Sequence, residues 1–99
     1  MLTNPDDEHV LFWWNYTSNM SPAWTAAGAD IAKFDGKRAG DCAPILFEAI
    51  KRMARDFDWF ERDYNSPNGW GEMRTLLPSL IVLWEEMTDW PDAIVGVDK

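Results

Sequence analysis

From residue 45 to residue 60 an apolar side chain returns every three or four positions: Ile45, Leu46, Ala49, Ile50, Met53, Phe57 and Phe60. A 3.6-residue period sets them on one side of a helix, and that side must be covered by another part of the fold. Asp41 reads as the N-cap and Pro44 falls in the first turn, so the helix is predicted to run to about Asp63. On its wet side, Glu48 to Arg52 and Asp58 to Arg62 are spaced as i,i+4 ion pairs. A second stripe, Met73, Leu76, Leu77, Leu80, Ile81, Trp84 and Met87, predicts another long helix. Pro78 inside it deletes one backbone bond and predicts a kink or a two-part helix.

Shorter signals fill in the rest. Ser21-Pro22 is a helix start, with Ser as cap and Pro in the first turn. Trp24, Ala27, Gly28 and Ile31 follow at helical spacing, and Asp35-Gly36 ends this short helix. Residues 9–17 are β-branched and aromatic and read as a strand, with Val10, Phe12, Trp14 and Tyr16 on one face and Leu11, Trp13 and Asn15 on the other. Ala93–Val97 reads as a second strand with Val95 and Val97 on one face, and residues 1–8 as a polar start that frays. The stretch Asn65-Ser66-Pro67-Asn68-Gly69-Trp70-Gly71 is the turn between the two long helices. The expected fold is α+β: three helices packed on a small sheet formed by an N-terminal and a C-terminal strand, in a single domain of 99 residues.

Charge narrows the function. Nine Lys and Arg against 17 Asp and Glu give −8, which argues against direct nucleic-acid binding and against an anionic membrane surface. The basic residues fall mostly in the middle and nearly neutralise it, so the net negative charge belongs to residues 1–30 and 72–98, two ends that can lie together in space. With one cysteine there is no intrachain disulfide, and with no signal peptide or long apolar run the expected location is a reducing cytoplasm. Seven tryptophans are several times normal usage; most are expected to fill a small core, leaving one or two for recognition.

Catalytic signatures are weak. Cys42 and the lone His9 make a nucleophile–base pair only if the fold joins them, and one Cys with one His does not build a zinc site. No phosphate loop, dinucleotide fingerprint or nucleophile elbow is present. The reading is therefore no enzyme, no cofactor and no metal. Two constellations remain. Asp56, Asp58, Glu61, Glu85, Glu86 and Asp89 either form a carboxylate array that imitates nucleic-acid phosphates or simply make a solvated acidic surface. Asn68, Gly69 and Trp70 either offer amides and an indole to a ligand or plug the junction between helices. Trp13 and Trp90 are the candidates for hydrophobic docking to a partner.

Thr17-Ser18-Asn19-Met20-Ser21-Pro22, followed by Trp24 and Gly28, together with Asn65–Gly71, resembles small uncharacterised proteins encoded by bacteriophages, notably those of actinobacteria. In that group a T-x-N-x-S/T motif precedes the first helix and an N-P-x-N-G-W-G motif precedes the last. This sequence carries one extra residue, Ser66, relative to the second motif. The resemblance covers about residues 13–97 and implies an origin without a mechanism. It marks Thr17, Asn19, Asn68, Gly69 and Trp70 as site candidates. The function expected from all of this is a small acidic module binding a host or phage protein without catalysis. The alternatives are a small-ligand binder at the Asn68-Gly69-Trp70 turn and a self-assembling homodimer.

Overall fold

The structure, a computed structural model, describes residues 1–16, 18–65 and 71–97. Its elements in chain order are strands β1 (Leu2–Thr3) and β2 (Val10–Phe12), helices α1 (Ser21–Ala26), α2 (Ala39–Arg55), α3 (Phe57–Tyr64) and α4 (Met73–Asp89), and strand β3 (Ile94–Val95). This is an α+β fold in which helices pack on a three-stranded antiparallel sheet of order β2-β1-β3.

The middle strand comes from the segment read as fraying. Leu2 is 1% exposed and pairs with Phe12 on one side and Val95 on the other. Side chains close the turn that follows: Asn4 Oδ1 accepts the Asp6 N–H and Asp7 Oδ1 accepts the His9 N–H, both at 2.9 Å. The polar run Asn-Pro-Asp-Asp-Glu is thus hairpin chemistry. A two-residue strand has no period to detect, which is why it is silent in the sequence.

The strand expected over 9–17 stops at Phe12. Beyond it, Trp14 and Tyr16 leave the sheet for α4, where their polar tips find partners. The β-prone composition there reflects burial of large rings against helices rather than ladder pairing.

Helix boundaries also differ in ways that have causes. A 3₁₀ turn, Ser18–Met20, leads into α1, so Met20 takes the N-cap position and Ser21 is the first helical residue. The helix ends at Ala26 because Gly28 adopts φ +109°, open to glycine and strained for other residues. A second 3₁₀ turn, Ile31–Phe34, then leads toward α2. That helix starts two residues before Asp41, at Ala39. Its first N–H groups are bonded to the chain after α4, Ala39 to the Ala93 carbonyl and Gly40 to that of Pro91, both at 2.8 Å.

The long helix expected to reach Asp63 breaks at Asp56, whose ψ of 33° lies outside the helical range, and Phe60, 2% exposed, enters the core from α3. Neither expected i,i+4 pair forms; Glu48 pairs with Lys51 at 3.2 Å and Arg62 with Asp63 at 3.3 Å. Ile45, counted in the apolar stripe, is 46% exposed. By contrast α4 runs unbroken through Pro78. Its N-terminus is capped from a distance, Asn65 Oδ1 accepting the Met73 N–H at 2.8 Å.

The core is built largely from small and flexible residues. Met20, Met53, Met73 and Met87 are at most 1% exposed, as are Ala23, Ala29, Ala39 and Ala49. Among the described tryptophans Trp24 alone is buried, whereas Trp13, Trp59 and Trp90 are exposed and Trp14 and Trp84 half-buried. The expectation that most indoles fill the core is therefore corrected. Methionine adapts to irregular gaps, and the rings are placed over the core rather than in it.

Candidate functional site

Period-2 alternation survives for a few residues past β2 even though ladder pairing does not. It turns Trp14 inward and leaves Trp13 outward, 60% exposed. Trp14 is fixed by its ring nitrogen, which donates to the Ser79 carbonyl at 3.0 Å and to the Ser79 hydroxyl at 2.7 Å. Its ring meets Trp24 edge-on at 5.8 Å and stacks on Tyr16 at 6.3 Å. Tyr16 in turn donates to the Glu72 carbonyl at 3.0 Å and shares a hydrogen bond with Thr75 Oγ1, which ties this segment to the start of α4.

These rings form one wall of an open groove of about 490 Å³. Leu2, Ile31, Phe34, Leu83, Met87 and Val95 supply its apolar floor, and Asn15, Ser21, Thr25 and Asp30 its polar rim. A volume of this order accommodates a small molecule or a few side chains. Asp30 precedes a 3₁₀ turn without capping it through its side chain, and its carboxylate lies 3.9 Å from the exposed ammonium of Lys33.

Trp90 stands elsewhere, at the end of α4. It lines a shallower depression with Leu11, Pro91 and the acids Asp6, Asp89 and Asp92. Its indole N–H donates to Glu86 at 3.2 Å, and Asp92 is paired with Arg38. The acids of the two chain ends do meet here, because β1 pairs directly with β3.

The six carboxylates of the expected array are not gathered into one surface. Gly40 at the start of α2 contacts Pro91 just beyond α4, so the two helices run antiparallel and the end of α2 lies at the beginning of α4. Asp56, Asp58 and Glu61 therefore sit near the α4 N-terminus, and the field of Glu61 reaches Arg74 there. Glu85, Glu86 and Asp89 occupy the opposite end, some four turns away, about 20 Å. Arg55 donates to Asp56 at 3.0 Å, holding that carboxyl below its ordinary range.

Of the remaining candidates, Asn19 is exposed in the turn before α1. Thr17, Asn68, Gly69 and Trp70 lie outside the described residues, and so does the proposed turn site. Cys42 is buried in α2, where desolvation pushes its thiol above the usual range, whereas His9 is exposed in the β1–β2 hairpin. Among the described residues no three His, Cys, Asp or Glu side chains cluster as metal ligands. No helix among them is long and apolar enough to cross a membrane. Sequence reasoning missed Trp14, Tyr16, Trp24 and Asp30 as groove residues. The alternating face through Trp14 and Tyr16 was the available signal for two of them; Asp30 had none.

Comparison with known proteins found no matching family model, no matching curated protein and no matching solved structure.

Proposed function

We propose that this chain is a non-catalytic protein-interaction module that docks a partner polypeptide in the groove headed by Trp13. The observation that carries the reading is the exposure of that indole, 60%, at the mouth of a groove floored by core residues. Large rings with a fixed backbone lose little entropy on binding and dominate interface energetics. Following the bacteriophage resemblance, the partner is a host or phage protein in the cytoplasm of an infected bacterium.

The test is selection of a displayed random-peptide library on the immobilised protein, repeated with Trp13→Ala and with Trp90→Ala. The expected outcome is an enriched sequence pattern that Trp13→Ala abolishes and Trp90→Ala leaves intact. Enrichment that survives Trp13→Ala would sink the reading.

The groove volume favours a second reading, a small-ligand binder at this groove rather than at the Asn68-Gly69-Trp70 turn. Native mass spectrometry of the freshly purified protein tests it, a discrete added mass lost in the Trp13→Ala variant being the supporting result.

A further inference from the structure

Resting on the reading of the groove as a protein-docking site, we infer that its occupant is a basic side chain, an arginine or lysine carried by the partner polypeptide. Two independent features of the groove select a cation. The first is its wall: Trp13, Trp14 and Tyr16 line it, and the negative quadrupole of aromatic rings attracts a guanidinium or ammonium. The second is charge. Asp30 supplies a carboxylate on the rim, no Lys or Arg among the described residues lines the groove, and the molecule as a whole carries −8.

Met1 also lines the groove, and its α-ammonium donates to the Gly96 carbonyl at 2.7 Å. The Asp30 carboxylate is weakly committed: Lys33 stands 3.9 Å away with its side chain 79% exposed, and an ion pair so open to water is readily exchanged for a better one. The apolar floor suits the same occupant, because the methylene stem of Arg or Lys covers hydrocarbon while its head reaches the carboxylate. A glutamate side chain would meet like charge, and a purely aliphatic one would leave Asp30 unused.

The experiment is a titration of the full chain with capped pentapeptides Gly-Ala-X-Ala-Gly, X being arginine, lysine, norleucine or glutamate. Binding is followed through the indole N–H resonances of Trp13 and Trp14. Arginine and lysine peptides are expected to shift both signals and to bind at least about fivefold more tightly than norleucine, as one charge-assisted contact implies. Glutamate is expected to produce no shift.

Asp30→Asn should erase the preference for the basic peptides without altering the norleucine titration. Lys33→Met, which removes the competing ammonium, should strengthen arginine binding. Norleucine binding as tightly as arginine, or arginine affinity unmoved by Asp30→Asn, overturns the inference. The docking reading is decided separately by the library. Enrichment of apolar sequences lacking basic residues overturns this inference and keeps that reading, and no enrichment at all overturns both.

Discussion

Trp14 donates its single ring N–H to both oxygens of Ser79, and that anchorage decides where its neighbour Trp13 can go. A half-buried indole N–H without an acceptor is costly, so the chain leaves the sheet at the point where Ser79 comes within reach. Trp14→Phe deletes the donor and shrinks the ring; it is expected to destabilise the fold by about 1–3 kcal/mol in urea unfolding, from the lost hydrogen bond and the lost packing together. Leu2 gives a larger test. It sits beneath the middle of the sheet at 1% exposure, and Leu2→Ala is expected to cost about 2–5 kcal/mol. A loss within about 0.5 kcal/mol would mean that the first strand does not hold the sheet together. Cys42 reports on the same core. Desolvation raises its thiol pKa, which lowers the thiolate fraction at any pH below the shifted value. Alkylation at pH 8 is therefore expected to be at least about tenfold slower in the native protein than in the unfolded chain.

Both long helices begin with a similar arrangement: each is 17 residues long and carries a proline as its sixth residue, Pro44 in α2 and Pro78 in α4. Each proline forfeits one bond, to the carbonyls of Gly40 and Arg74 respectively, and neither ends its helix because tertiary packing holds the turn on either side. The stripe from Met73 to Met87 was therefore a better guide to α4 than the proline within it. The same reasoning explains the opposite outcome at Asp56. The stripe continues through Phe57 and Phe60 across the break, so the pattern carries no sign of it, and Asp resists helix interiors too little to announce it. Periodicity made α2 and α4 legible, since their faces are long, whereas β3 was marked by its β-branched composition rather than by a period. Periodicity did not reveal β1, whose two residues carry no pattern, nor Asp30, whose place on the groove depends on the 3₁₀ turn after α1. Gly40 shows how closely the elements approach. A Cβ there would stand 3.0 Å from the Pro91 carbonyl oxygen and 3.1 Å from its Cβ. Gly40→Ala is accordingly expected to destabilise by about 1–3 kcal/mol despite the better helix propensity of Ala, with thermal unfolding as the measurement.

Across the whole molecule the charges work against folding more than for it. Six ion pairs are present among the described residues, every one between side chains at least 36% exposed. Pairs of that kind contribute a few tenths of a kcal/mol each, and salt weakens them. Against them stand the −8 net charge and the last turns of α4, where Glu85, Glu86 and Asp89 face the negative end of the helix dipole with no basic residue in the final turn. Repulsion over the molecule outweighs pairs so exposed, so stability should rise when salt is added. Going from about 10 mM to 150 mM shortens the screening length from about 30 to 8 Å, which is enough to uncouple the two ends of α4. The expected gain is at most about 1 kcal/mol, seen as a Tm higher by a few degrees. Glu85→Lys locates the source. It reverses the sign of one charge in the unfavourable turns and should stabilise the protein at low salt by about 0.3–1 kcal/mol. The salt-induced rise in Tm should shrink in the same variant. A Tm that falls with salt in the parent protein would mean that the surface pairs dominate, and the carboxylates at the end of α4 would then carry no electrostatic stress for a cationic partner to relieve.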